Sequence, residues 1–306
     1  MSSEKTGCER HGFSRRAMLA ALPAVAGLAA YGPSVAHASD SKVVSVVYVE
    51  VNSNDMKNVG DYVLEGTSTP VFDIAVIFAA NINYENSSAK LFLNDRVKET
   101  LENVATQIRP IQAKGIKVLL SILGNHQGAG FANFPSQAAA SDFAQELADV
   151  VNKYGLDGID FDDEYANYGA NGTAQPNESS FVHLVTALRE KLGKGKLITF
   201  YAIGPSSERT VYDGKRAGDL INYAWNPWYG RWSVPQIPGM DKSQLSPAAV
   251  NIMETSATDA ASMAERTKRE GYGVFLTYNL TAKDSSGLLS SCTKALHGKA
   301  THKTTS

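Results

Sequence analysis

Cysteine is nearly absent from this chain: 306 residues contain two, Cys8 and Cys292. Cys8 lies in a segment that reads as removable, and a single remaining thiol excludes an internal disulfide framework, so a hydrophobic core must hold the fold. Cys292 lies in the helical pattern "LLSSCTKALHG" with no His–Asn context, which reads as a packed, inert thiol. Long apolar runs are also missing. The most apolar run, "MLAALPAVAGLAA", is short of the roughly 20 residues a membrane span needs. It follows the basic pair Arg15–Arg16 and precedes "VAHA", which places Ala36 and Ala38 at the −3 and −1 positions of a cleavage site. That order of basic, apolar and small-residue regions is an export signal of the twin-arginine kind, expected over 1–38 with cleavage after Ala38. The protein is therefore expected to be secreted and not to be a membrane protein. Excess positive charge is lacking too. Without Lys5, Arg10, Arg15, Arg16, Glu4 and Glu9, 29 basic and 31 acidic residues become 25 and 29, which argues against nucleic acid or an anionic membrane as partner.

What is present is an alternation. Strand-like runs at 42–51, 72–82, 116–123, 156–164, 196–204, 220–226, 250–254 and 271–280 are separated by amphipathic helical patterns. Several runs are apolar throughout, as parallel strands covered on both faces should be. Gly155 ends one helical segment. Eight such units over residues 39–298, with no Pro- or Gly-rich linker, give an α/β fold: one single-domain (β/α)₈ TIM barrel. A doubly wound open sheet is the alternative, and no Gly-rich phosphate loop follows the first strand to support it. Residues 299–306 read as a flexible polar tail.

The fourth run breaks the apolar rule. "LDGIDFDDEY", 156–165, holds five carboxylates in ten positions. Strand alternation puts Asp160, Asp162 and Glu164 on one face and Ile159 and Phe161 on the other. In a barrel the apolar pair meets the helices, while the acids point inward and climb toward the C-terminal rim, where barrel active sites lie. Like charges crowded out of water raise at least one pKa, as a general acid at neutral pH requires. A solvated acidic loop would not explain the every-second spacing. A divalent-metal site would suit three carboxylates, but no further Asp or His cluster recurs on neighbouring strand ends, so neither metal nor cofactor is expected.

"DGIDFDDE" resembles the D-x-x-D-x-D-x-E signature of glycoside hydrolase family 18, as Asp157, Asp160, Asp162 and Glu164. "LLSILG" is similar to that family's strand-3 element through Ser121 and Gly124, with Asn125 in place of a second Gly. "YAWNPWYGRW", "QLSPAAV" and "GYGVFLTYNL" extend the resemblance, over nearly the whole of 39–306, to the bacterial endo-β-N-acetylglucosaminidases of the family. The resemblance implies catalytic Glu164, Asp162 and Asp160. Glu164 is the proton donor, Asp162 orients the substrate's acetamido group, and Asp160 shares a proton behind it. It also implies N-linked glycans as partners, high-mannose and hybrid chains before complex ones; the chain is expected to be a monomer. A chitinase is the first rival reading, and a family 18 barrel that binds carbohydrate without catalysis is the second, disfavoured because Glu164 and Asp162 are both present.

Asp157, on the other parity, reads as securing the start of the strand. Where chitinases carry a Tyr followed by Asp on strand 6, this chain reads Trp225–Asn226. The hydroxyl or amide that holds the acetamido oxygen is then assigned to Tyr223 or to Asn226. Tyr278 is a candidate floor of the sugar site. The aromatic group Trp225, Trp228, Tyr229 and Trp232 falls just past strand 6 and reads as a stacking platform for sugar. After strand 3, Asn125, His126 and Gln127 offer hydrogen-bonding groups.

Overall fold

The computed structural model describes residues 42–304; the expected export segment lies outside them. Nine strand segments form one nearly closed parallel barrel: β1 Val44–Glu50, β2 Ile74–Glu85, β3 Lys117–Gly124, β4 Gly158–Asp162, β5 Leu197–Tyr201, β6 Tyr223–Trp225, β7 Leu245–Ser246, β8 Ala249–Asn251 and β9 Val274–Tyr278. Each pairs with the next from β1 to β7, β8 pairs with β9, and β9 returns to β1. β7 and β8 are one barrel strand broken at Pro247, which has no N–H to give the ladder. Ser246 spans the break: its hydroxyl donates to the Ala248 carbonyl at 2.7 Å and accepts from Leu276 N–H at 3.1 Å.

The helices α1 Asp95–Glu102, α2 Gln137–Tyr154, α3 Ser180–Leu192, α4 Ala257–Glu270 and α5 Ser286–His297 cover the outside. Asn94, Ser136 and Ser256 cap α1, α2 and α4 by accepting from backbone N–H groups, while Gly155 closes α2 in the left-handed region. The alternation of strand and helix is incomplete. Between β5 and β6 there are the short helix Gly204–Glu208, a small antiparallel hairpin pairing Val211–Tyr212 with Lys215–Arg216, and a 3₁₀ turn, and residues 226–244 hold one more 3₁₀ turn, Lys242–Gln244. Pro227, Pro235 and Pro238 interrupt that stretch, leaving no apolar period for a helix to use.

Two cores result from strand parity. Ile159 and Phe161 join the outer core with the helices, including Phe131, Phe143 and Phe181. The barrel interior holds Val46, Tyr48, Val76, Leu119, Tyr201, Trp225 and Leu276. Cys292 lies on the buried face of α5, in one cluster with Ala260 and Ala264 of α4, its thiol pKa pushed up to about 12 by burial. The expected flexible tail is a correction. Thr301–Lys303 pairs antiparallel with Tyr62–Leu64, and the Thr293 and Thr301 hydroxyls meet at 3.0 Å. Its polar residues are held by edge pairing, which a reading for apolar residues does not detect.

Candidate active site

Asp160 occupies the barrel centre, fully buried, and accepts three hydroxyls: Tyr48 at 2.7 Å, Ser121 at 2.8 Å and Thr199 at 2.6 Å. Burial raises its pKa and those three donors oppose the rise. Tyr48 in turn accepts from the Trp225 indole N–H at 2.8 Å. One layer up, Asp162 is 2% exposed and its Oδ1 has no hydrogen-bond partner. Its pKa stands well above the usual carboxylate range, through burial first and then the nearby Glu164 and Asp160 charges. Glu164, just past the end of β4, is half-buried with its pKa raised by burial. These acids thus climb from a closed floor to an open mouth on the face the alternation predicts.

A tyrosine wall faces them. Tyr201 ends β5 in register with Asp162 and donates to the Pro227 carbonyl at 2.7 Å. Tyr229 packs its ring against Tyr201, with centroids 6.3 Å apart, and stacks on Tyr278, with centroids 5.0 Å apart and planes inclined by 22°. Burial lifts all three hydroxyl pKa values, that of Tyr278 to about 12, and Asp162 adds to each. The Tyr278 hydroxyl also lies 3.4 Å from Glu50, which closes the rim over β1.

Several predicted side chains lie elsewhere. Tyr223 starts β6, beside Thr199, a layer below the Tyr201–Asp162 level. Its hydroxyl feels Asp73, which immediately precedes β2 at the opposite end of the barrel, so it is not at the mouth. Asn226 is fully buried and its amide nitrogen is already donating to the Arg231 and Pro247 carbonyls at 2.7 and 2.8 Å. That amide braces the β6 loop. Trp225 is fully buried beneath the site, so its ring is no stacking surface. Trp232 packs on Tyr272 and lies 4.2 Å from the Arg266 guanidinium, away from the acids. Trp228 alone of this group is widely exposed, at 54%. Asn125 reaches the rim and donates to Asn83 at 2.7 Å. The structure shows no hydrogen bond between Asp160 and Asp162, whose expected shared proton is replaced by the three hydroxyls. Asp157 accepts from Gln112, Lys117 and Val118 N–H at the start of β4, as its parity indicates.

Sequence reading missed Tyr48, Thr199, Tyr201 and Asp163. The first three were available from the parity argument used for the acids: Val46, Tyr48 and Glu50 alternate along β1, and Thr199 and Tyr201 along β5. Asp163 points the other way. It accepts from the Tyr168 hydroxyl and from Ser206 N–H, and burial raises its pKa to about 6. It ties the β4, β5 and β3 loops together, since Tyr168 also accepts from Ala132 N–H. Among the described residues no group of three His, Cys, Asp or Glu is arranged to hold a metal ion.

Comparison with known proteins places the chain in a family. The chain is 55% identical over 266 residues to the endo-beta-N-acetylglucosaminidase of Flavobacterium sp. (strain SK1022), covering 86% of this chain and 84% of that one. It is 38% identical to endo-beta-N-acetylglucosaminidase F1 of Elizabethkingia meningoseptica, over 65% of this chain and 60% of that one. Bacteroides thetaiotamicron EndoBT-3987, solved with Man5GlcNAc product, superposes with a TM-score of 0.76 at 28% identity, over 88% of this chain and 64% of that one. The chain thus spans under two-thirds of the last two proteins. The sequence pattern of Glycosyl hydrolases family 18 matches residues 44–267, and with the acid ladder in place on β4 the chain belongs to that family of hydrolases.

Proposed function

We propose that the enzyme is a secreted endo-β-N-acetylglucosaminidase that cuts between the two core GlcNAc residues of N-linked glycans. The observation that carries the chemistry is the buried, unpartnered Oδ1 of Asp162 one layer below Glu164. A carboxylate oxygen kept out of water with no donor is an acceptor in need of an N–H, and a substrate 2-acetamido group supplies one. Family 18 enzymes use that acetamido group in place of an enzyme nucleophile. Glu164 then protonates the glycosidic oxygen, and the acetamido oxygen attacks C1 from the opposite face. Asp162 accepts the acetamido N–H and offsets the positive charge of the oxazolinium ion. Of the wall, Tyr229 supplies the hydroxyl that holds the acetamido oxygen, since the Tyr201 proton is already given to the Pro227 carbonyl. Water opens the ring with retention, with Glu164 as base.

High-mannose and hybrid chains are the preferred substrates. The relatives' names support only the endo-beta-N-acetylglucosaminidase part of this reading; the mannose-rich part is supported by the structure of EndoBT-3987 with Man9GlcNAc2Asn substrate, which matches with a TM-score of 0.76. The Trp228 ring offers a neutral stacking surface beside the mouth, and acids dominate the centre, which suits uncharged antennae better than sialylated ones. Release from a denatured high-mannose glycoprotein, a sialylated biantennary glycoprotein and colloidal chitin, at matched enzyme, tests this. The high-mannose chain should be cut fastest; preference for chitin, or for the biantennary chain, would overturn the assignment of substrate. Export is tested by the N-terminus of protein recovered outside the cell, expected at Ser39.

A further inference from the structure

Beyond the ends of β3 and β4 the two chains stay paired. Gly124 N–H donates to the Glu164 carbonyl at 3.0 Å, His126 N–H to Tyr165 at 2.6 Å and Gly128 N–H to Ala166 at 2.7 Å. Gly124 has no room for a side chain, because a Cβ there would fall 2.2 Å from the Glu164 carbonyl oxygen. The pairing holds His126 and Tyr165 at φ values of 56° and 59°, a region that bulky residues rarely occupy. Such strain persists only where the surroundings fix it, and it gathers at functional sites. Here the fixing extends outward, with Asn171 donating to the Gln127 carbonyl at 3.1 Å and Thr173 to the Gly128 carbonyl at 3.0 Å. The product is a rigid pair of exposed rings, with centroids 5.4 Å apart and planes inclined by 53°.

Tyr165 is 53% exposed and belongs to none of the hydrophobic clusters. It directly follows Glu164, and its carbonyl is paired with His126 beyond the ends of β3 and β4, so the residue stands on the C-terminal face of the barrel beside the proton donor. The tyrosine wall rises from the β5, β6 and β9 side, the Tyr165–His126 pair from the β3 and β4 side, and Glu164 stands between. A proton donor bridging two sugars has one on each side. With the acetamido-bearing sugar over Asp162, its partner across the scissile oxygen meets Tyr165.

We infer that Tyr165, backed by His126, is the stacking surface for the leaving-side GlcNAc, and that it sets which acceptor can re-enter to intercept the oxazolinium ion. This rests on the proposed function. The C–H face of a sugar packs on an aromatic ring, and a tyrosine pinned in one conformation offers that face without first having to be ordered.

The experiment supplies a glycan oxazoline as donor with p-nitrophenyl GlcNAc as acceptor, and reads the ratio of transfer product to hydrolysed donor. General damage to the active site lowers both products and leaves the ratio alone. Tyr165→Ala should lower the ratio about tenfold, the size of one stacked ring. Tyr165→Phe should keep it within about twofold of wild type, and His126→Ala, which leaves the tyrosine ring unbacked, should lower it less than Tyr165→Ala. An unchanged ratio in Tyr165→Ala would overturn the inference, as would a Tyr165→Phe ratio as low as that of Tyr165→Ala. An oxazoline left untouched by the wild-type enzyme would instead overturn the cleavage chemistry, and the platform with it.

Discussion

Asp160 and Asp162 lie two residues apart on one face of one strand, both buried, and they are treated in opposite ways. Three hydroxyls satisfy Asp160. Asp162 is left with one oxygen unpartnered and with Glu164 and Asp160 pushing its pKa further up. Burial costs both carboxylates, but only at Asp160 does the fold partner both oxygens; Asp162 keeps a backbone hydrogen bond from Glu164 and leaves Oδ1 without one. The floor of the site is complete without substrate, and the layer above it is not. That difference separates structural acid from working acid more sharply than the motif does, since the motif counts both alike.

The largest effect should come from removing the proton donor at the open end. Glu164→Gln is expected to lower hydrolysis by roughly 10²–10⁴-fold while melting temperature and glycan binding hold. Activity within about tenfold of wild type would remove Glu164 from the role. Because burial raises the Glu164 pKa and the protonated form is the catalyst, wild-type kcat should fall as pH rises through that raised value. The alkaline limb then lies above the ordinary carboxylate range and tracks Glu164.

A second test uses stability against pH. Asp163 has a folded pKa of about 6 against an ordinary 3.8, so the folded state binds its proton more tightly than the unfolded state does. The stability this confers is complete below the ordinary value and is lost as pH rises through about 6. Two units correspond to on the order of 2–3 kcal/mol. Unfolding free energy should therefore decline between mildly acidic and neutral pH, with the raised Asp160, Asp162 and Glu164 acting in the same direction. Asp163→Asn should flatten part of that slope, and an unchanged slope would show that Asp163 does not carry it.

A smaller effect should follow from breaking the floor. Tyr48→Phe removes one of three donors to Asp160 and leaves the Trp225 N–H without its acceptor. The expected cost is about 1–3 kcal/mol of stability, measured by denaturant unfolding. No loss would mean that the floor is not held by this chain of bonds. Smallest of all, Trp228→Ala should raise KM for a high-mannose glycopeptide about three- to tenfold with kcat little changed, as loss of one exposed stacking ring predicts.

Strand parity carried most of what was legible. Ile159 and Phe161 outward, Asp160 and Asp162 inward, and the run of apolar strands follow from alternation and burial alone. Where alternation stops, the reading loses its basis. Residues 226–244 have neither period, so nothing local tells that Asn226 is sealed while Trp228 faces water. Asn226 looked like a ligand donor because its three carbonyl partners, at 228, 231 and 247, are brought to it only by the loop's path. The antiparallel hairpin formed by β2 and Ser88–Phe92 turns at Asn86 and Ser87, both with positive φ, a two-residue turn usually marked by glycine. Tyr48 and Thr199 were equally legible as the acids, being polar groups on inward positions of apolar strands.

The most direct test of the contrast between the two aspartates is Asp162→Asn assayed on two donors. An amide at the open position cannot offset the charge of a forming oxazolinium ion, whereas a supplied sugar oxazoline already contains the ring. Hydrolysis of a high-mannose glycopeptide should fall by roughly 10²-fold or more, the scale of one lost transition-state contact in a buried site. Transfer from the oxazoline to a GlcNAc acceptor should remain within about tenfold of wild type, because that step begins after the one the carboxylate assists. Equal loss with both donors would contradict the account and return Asp162 to the fold, beside Asp160.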